Sequence, residues 1–311
     1  MLLAVFNILI FPGFLFLGVM ALIFAFLDRK IYARLQNRIG PPWFQPLADF
    51  LKLLGKESII PAEADKRIFP LLPVVTLAAV TAAYLYIPIW GPASLFPFEG
   101  DLIVILYLLT LPTLCFFLAG WYSTSVYATI GAVRTLTQLF SYEVPLFMAL
   151  LAPALLADTW SLSGMTAFYA ANPVLLLVNI PAFLVAIAAC QGKLERVPFD
   201  LPEAETEIVA GTFVEYSGRL YAIFRMAIDC ELVVVASLIA AVFLPFYTEP
   251  VWLGFALYLL KTLVILFILA LFRSVMARIR LEQMVKFCWK YLTPVALLQI
   301  VINLLLKGVL S

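Results

Sequence analysis

Apolar stretches of spanning length recur near residues 3–27, 69–90, 102–122, 142–157, 173–191, 221–246, 252–272 and 287–309. About 20 predominantly apolar residues cross a ~30 Å hydrocarbon core as a helix. The pattern therefore predicts eight transmembrane helices in an all-α, polytopic membrane protein, with residues 1–311 forming a single integral membrane domain. The fourth window is the shortest and carries Glu143 and Pro145 in its first turn. The start, MLLAVFNILIFPG, has no basic n-region and no small-residue cleavage site, so it reads as a retained first span. A composition of 65% hydrophobic and 13% charged residues excludes an ordinary soluble domain.

The polar intervals differ sharply in charge. The 28–68 connection holds Arg29, Lys30, Arg34, Arg38, Lys52, Lys56, Lys66 and Arg67; Arg134 falls in the next odd-side loop. Lys193, Arg196 and Arg219 follow in the third, then Arg273, Arg278, Arg280, Lys286 and Lys290 in the last. The alternate loops near 91–101, 158–172 and 247–251 contain no Lys or Arg. By the positive-inside rule the basic loops face the cytoplasm and both termini lie outside the cell membrane. Within the first loop, Leu47, Phe50, Leu51 and Leu54 recur at i, i+3, i+4, i+7 in the stretch 44–57, with Asp49, Lys52 and Lys56 elsewhere on the wheel. That stretch is too short to span and predicts an amphipathic helix lying in the interface plane, either a plain surface anchor or the wall of a docking surface for soluble partners.

A second cytoplasmic stretch, 196–218, packs Asp200, Glu203, Glu205, Glu207 and Glu215 together. Asp200-Leu201-Pro202-Glu203 reads as an Asp form of the capping box, predicting a helix start. On that helix Asp200, Glu203 and Glu207 fall within about 60° of one another, and Glu205 points to the other side. Crowded carboxylates cannot all ionise, so such a face holds protons near neutral pH; a solvated acidic helix start is the plain alternative. Inside the sixth predicted helix Arg225 and Asp229 are spaced to pair, whereas Glu231 lies about 200° from Asp229. Lys261 sits midway along the seventh. A charge at that depth is a functional candidate, or a structural charge held by Glu231 or backbone carbonyls. Histidine is absent, and Cys115, Cys190, Cys230 and Cys288 are scattered without metal-ligand spacing. No cofactor or metal is expected in this chain, and redox chemistry linked to it falls to partner chains. No nucleotide, protease or nucleophile motif and no internal repeat is present, and no nucleic-acid partner is expected.

Three stretches resemble one family of membrane subunits. They are Asp28-Arg29-Lys30 with Gln36 to Pro41, Gln45 to Asp49, Lys52-Leu53-Leu54 and Lys56-Glu57; Pro198 to Glu205 with Val214-Glu215-Tyr216; and Ser141-Tyr142-Glu143. The family is the membrane-anchor subunit shared by respiratory complex I and the group 4 membrane-bound [NiFe] hydrogenases, and the likeness extends over nearly the whole chain. It implies a subunit that attaches a redox arm to a membrane arm and couples electron transfer to H⁺ or Na⁺ translocation. The implied ion path runs through Glu143, Asp200, Glu203, Glu205, Glu207 and Glu215, and we add Asp229, Glu231 and Lys261 as candidates within the membrane. The implied partner face carries Arg29, Lys30, Arg34, Arg38, Gln45, Asp49, Lys52 and Lys56. Partners would be hydrophilic iron–sulfur and hydrogenase-like large subunits, holding clusters and [NiFe], together with antiporter-like membrane subunits and the lipid bilayer.

Two departures favour the hydrogenase-like branch and its relatives that reduce other acceptors from ferredoxin. Gly40-Pro41-Pro42 runs almost directly into Phe44-Gln45-Pro46, and Ile228 stands where the quinone-reducing branch is expected to carry an acid. The alternatives are a quinone-site subunit of a complex I-type enzyme, a stand-alone secondary ion transporter and a purely structural anchor.

Overall fold

The computed structural model describes residues 2–248 and 250–310. Among them the chain forms, in order, α1 (Leu2–Leu9), α2 (Phe14–Leu35), α3 (Gln45–Gly55), α4 (Ile68–Leu85), α5 (Asp101–Tyr122), α6 (Val126–Ala157) and α7 (Leu162–Ala171). Next come α8 (Pro173–Val178), α9 (Ile180–Lys193), α10 (Glu205–Ile208) and a 3₁₀ turn (Gly211–Phe213). The chain closes with α11 (Gly218–Phe243), α12 (Val251–Val275), α13 (Leu281–Phe287), a π turn (Cys288–Leu292) and α14 (Thr293–Leu310).

Among the described residues, seven helical stretches are by themselves long and apolar enough to cross a bilayer. The predicted fifth, 173–191, is broken into α8 and α9 at Asn179, where Pro181 in the first turn of α9 lacks the N–H that would bond back across the break. Buried side chains close the gap. Gln299 Nε2 donates to the carbonyl of Val178 at 3.0 Å and to Asn303 Oδ1 at 2.9 Å. Asn303 Nδ2 donates to Asn179 Oδ1 at 2.8 Å and to the carbonyl of Ala152 at 2.7 Å. Asn179 Nδ2 in turn donates to Tyr169 Oη, whose hydroxyl donates to the carbonyl of Pro153. Irregular backbone at membrane depth is tolerated where protein satisfies it in this way.

The predicted fourth span, 142–157, belongs to a helix that starts sixteen residues earlier, at Val126. Arg134, predicted in a loop, therefore sits inside α6. Polar residues had hidden its first half. Thr129, Thr135, Thr137 and Ser141 return their hydroxyls to carbonyls one turn back, and Gln138 Nε2 donates to the carbonyl of Gly192 at 2.7 Å. Because Asn179 meets the α6 carbonyl of Ala152 through Asn303, while Gly192 meets Gln138, α9 runs antiparallel to α6.

At the centre lies α11, apolar from Leu232 to Phe243 apart from Ser237 and almost wholly buried. A helix without a polar face belongs in a protein core or in lipid; here α2, α4 and α12 pack against it. The two polar loops meet above its first turn. Ile59 N–H donates to Ser217 Oγ and Arg219 N–H to Ser58 Oγ, each at 3.0 Å. Gly218, at φ +57°, permits the approach, since a Cβ there would stand 2.4 Å from the carbonyl oxygen of Glu57.

Candidate functional site

The acidic stretch does not form the helix its capping box predicts. Residues 195–204 are irregular, and α10 begins at Glu205. The loop instead folds back on itself around Gly211, at φ +52°, where a Cβ would meet the carbonyl oxygen of Pro202 at 1.7 Å. That compact turn wins over the local helix signal and scatters the predicted face of Asp200, Glu203 and Glu207. Glu207 is exposed and pairs with Arg134 at 2.6 Å. Asp200 and Glu203 point inward to line a cavity. Glu215 is half-buried and is not among the residues lining it, and the side chain of Glu205 lies outside the described residues.

This cavity, of about 300 Å³, lies where α2, α9, α11 and α12 meet the loop. Its described walls carry six acids (Asp28, Glu195, Asp200, Glu203, Asp229, Glu231) and six bases (Arg29, Lys193, Arg196, Arg225, Arg273, Arg278). The apolar remainder is Ala25, Phe116, Leu194, Val197 and Ile228. Asp28, almost fully buried near the end of α2, is held between Arg196 at 2.8 Å and Arg273 at 3.1 Å, and Arg273 also stacks over Tyr32. Arg278 pairs with Asp200, and Arg225 approaches Asp229 at 3.7 Å, as the i,i+4 spacing predicted.

Glu195 enters through the way α9 ends. Its N–H bonds to the carbonyl of Gly192 and that of Arg196 to the carbonyl of Gln191, closing a Schellman motif. Glu195 occupies the left-handed position, φ +49°, that glycine usually takes; a side chain there is strained by roughly 1–2 kcal/mol. Burial, and then the nearby Glu203 and Glu231, push its carboxyl well above the ordinary range; Lys193 pulls it down and Asp200 raises it further. Its Oε1 is buried and accepts no hydrogen bond from the described residues.

Deeper in, Glu231 on α11 and Lys193 at the end of α9 form a buried ion pair at 2.5 Å, each no more than 3% exposed. Lys193 Nζ also donates to Thr113 Oγ1 at 2.8 Å, and that hydroxyl is 2.9 Å from Tyr142 Oη. Glu143, next to Tyr142 on α6, does not line the large cavity; it lines a separate pocket of about 10 Å³ together with Lys193. Lys261 lies elsewhere. It donates to the carbonyls of Leu244 and Phe246 at 3.0 and 2.8 Å, beyond the C-terminus of α11, and lies 4.1 Å from the centre of the Tyr247 ring. With Glu231 thirteen residues back along α11, about 20 Å separates the two ends. Lys261 thus takes the backbone-held arrangement and does not join the charged cluster.

On the first loop, α3 spans Gln45–Gly55 with Leu47 and Leu51 exposed along its apolar stripe. Arg29 and Gln45 donate to the two oxygens of Asp49 at 3.0 and 2.8 Å, fastening α3 to the end of α2. Burial would raise the Asp49 carboxyl, but these bonds prevail and hold it below its ordinary range. Lys30 is half-buried, while Arg34, Arg38, Lys52 and Lys56 are exposed. Sequence reading missed Asp28, Lys193, Glu195, Arg196, Arg273 and Arg278 as cavity residues: the bases counted only as loop charges, Asp28 only as part of a motif, and Glu195 was given no role. A usable signal was present in Lys193-Leu194-Glu195-Arg196, three charges at the foot of an apolar helix.

Residues 7–304 match the protein family described as NADH dehydrogenase. The chain is 34% identical over 291 residues to an NADH-quinone oxidoreductase subunit of Syntrophotalea carbinolica, covering 89% of this chain and 88% of that protein. It is 37% identical over 299 residues to NADH-quinone oxidoreductase subunit 8 of Thermus thermophilus, covering 91% and 82%. Among solved structures, a chain of the membrane-bound sulfane sulfur reductase, an archaeal respiratory membrane complex, superposes with a TM-score of 0.82 at 27% identity, over 93% of this chain and 96% of that one.

Proposed function

The chain belongs to the NADH dehydrogenase family of membrane subunits, and from that premise we propose that it couples electron transfer to ion movement in a complex I-like respiratory complex. In this reading a peripheral, ferredoxin-linked redox arm docks on the exposed bases Arg34, Arg38, Lys52 and Lys56. Its iron–sulfur and hydrogenase-like subunits hold the clusters, and antiporter-like membrane subunits carry the H⁺ or Na⁺.

One observation carries the proposal. Six acids and six bases share a cavity at the end where the basic and acidic loops meet, and Glu195 is held there with a raised proton affinity. Electron transfer beside such a cluster changes the local potential, and the groups poised between protonation states respond first. Asp200, Glu203, Glu195 and Asp229 are the acids that exchange protons with cavity water, and Glu231 leads into the membrane. The sixth acid, Asp28, is held by Arg196 and Arg273.

The likeness to a chain of a complex named as a sulfane sulfur reductase favours a relative that reduces an acceptor other than quinone, as does Ile228 in the cavity wall. A quinone-binding role is the second reading, favoured by the relatives' designation as NADH-quinone oxidoreductase subunits. Against it, a small-molecule pocket is usually mostly apolar, and twelve of the seventeen residues lining this one are charged. With the α8–α9 pair counted as an eighth crossing the termini share one side, and the basic loops favour that side being outside and the cavity cytoplasmic. A cysteine replacing exposed Ser58 should then react with an impermeant thiol reagent only after permeabilisation.

The test of function is ion uptake per electron by the purified complex in proteoliposomes. Glu203→Gln should lower it at least about tenfold while electron transfer to a soluble acceptor persists. Unchanged uptake with normal subunit composition would overturn the coupling role, and bound quinone in the preparation would favour the second reading.

A further inference from the structure

Lys193 is the one described residue that lines both the large charged cavity and the small pocket of Glu143. On the cavity side its ammonium meets Glu231 at 2.5 Å, with Glu195 two residues on. Toward the pocket it donates to Thr113 on α5, within reach of Tyr142 on α6. Glu143 forms no hydrogen bond or ion pair with another described residue, and Lys193 is the cation whose field reaches it. A pocket of about 10 Å³ is at the lower limit for a single water molecule, so water alone makes a poor bridge from Glu231 to Glu143. A lysine has a flexible four-carbon stem and three rotatable donors, and here the stem is rooted in the wall between the two spaces.

We propose that Lys193 is a moving cationic link, its ammonium passing from Glu231 to Glu143 when Glu231 takes a proton from the cavity. This rests on the coupling function proposed above. With the ammonium on Glu231, that carboxyl is ionised and Glu143 holds a proton. A proton arriving at Glu231 from cavity water neutralises it and frees the ammonium. The ammonium then turns to Glu143, which gives its proton to water or to an acid of the adjoining membrane subunit and becomes the carboxylate that Lys193 holds. Lys193 stays protonated throughout, so one proton enters and one leaves. The exit lies close beneath the surface: Phe147 lines the pocket edge-on to Tyr107, which is 66% exposed. Lys193 is therefore a positioning residue, and its place at the C-terminus of α9, where a cation is favoured whichever acid it faces, suits it to either state.

The experiment uses infrared difference spectra of the intact complex on reduction, with Glu143→Gln and Glu231→Gln assigning the two carboxyl bands. The expected result is a paired gain at Glu231 and loss at Glu143. In Lys193→Met, nearly the same shape without the charge, the Glu143 loss should vanish and ion uptake per electron should fall at least about tenfold. Electron transfer to a soluble acceptor should persist. A merely structural lysine would leave the Glu143 change in place, so its persistence in Lys193→Met overturns the link. Should that variant fail to assemble, Lys193→Gln, which keeps a hydrogen-bond donor beside Glu231 and Thr113 without the charge, decides by the same band. The coupling reading fails separately, through full uptake in Glu203→Gln.

Discussion

At the α8–α9 break and at the charged cavity, the chain buries polar atoms among membrane helices by different means. Around Asn179 the groups are neutral, and amides, a hydroxyl and carbonyls from α6, α7, α8, the break itself and α14 are joined by bonds of 2.7–3.0 Å. A smaller set follows the same rule. The hydroxyls of Tyr84 and Ser237 each lie 2.8 Å from that of Tyr258, and Ser237 returns its proton to the carbonyl of Val233. Around Asp28 and Glu195 the groups are charged, and Glu195 Oε1 and Arg273 Nε, although buried, find no hydrogen-bond partner among the described residues. A satisfied neutral network rigidifies and specifies one packing. A crowded set of charges with alternative pairings responds to a change in charge nearby. The first arrangement stabilises the bundle, and the second suits a site whose occupancy has to change.

The contrast can be broken most forcefully at its two anchors. Asp28→Asn leaves the part-buried Arg196 and Arg273 without their buried anion. Breaking a fully buried pair typically costs about 3–5 kcal/mol, an upper bound for these part-exposed arginines, so the apparent unfolding temperature of the purified complex should fall and ion uptake be lost. Asn303→Leu strands the carbonyl of Ala152 and Asn179 Oδ1 and costs roughly 1–3 kcal/mol for each. Stability should fall while uptake per electron in the surviving complex stays normal. A changed coupling ratio in Asn303→Leu would erase the distinction between the two regions.

A gentler probe is Glu195→Gln. The folded carboxyl binds its proton more tightly than the unfolded one, whose ordinary value is 4.5. Stability is therefore undiminished below that value and declines as pH rises toward the folded pKa. The glutamine variant escapes this decline. Its melting temperature should match the parent near pH 4.5 and exceed it by a few degrees at pH 8, as scanning calorimetry can follow. A gap that narrows with rising pH would place Glu195 among ionised, fully paired acids. The smallest effect belongs to Glu207→Gln. A shared helical face would make it a coupling residue, but an exposed pair with Arg134 contributes no more than about 1 kcal/mol. Uptake per electron should change by less than about twofold. A large loss would mean that Glu207 turns inward during turnover.

The sequence alone determined that the chain is an all-α membrane protein, and it located the amphipathic helix of the first loop and the Arg225–Asp229 pair. These depend on composition and on neighbours within one or two turns, where spacing is information enough. Tertiary structure decided the rest. The loop from 195 to 204 follows no local helix signal because Gly211 permits a turn that packs it against its own backbone. The polar half of α6 is helical because other elements and its own carbonyls receive its side chains. The Lys193–Glu231 pair joins the end of α9 to the middle of α11, 38 positions apart, and Asp28 meets Arg273 across nearly the whole chain. A charge's role at such depth is set by which opposite charge shares its low-dielectric surroundings, and that neighbour is chosen by packing rather than by position in the sequence.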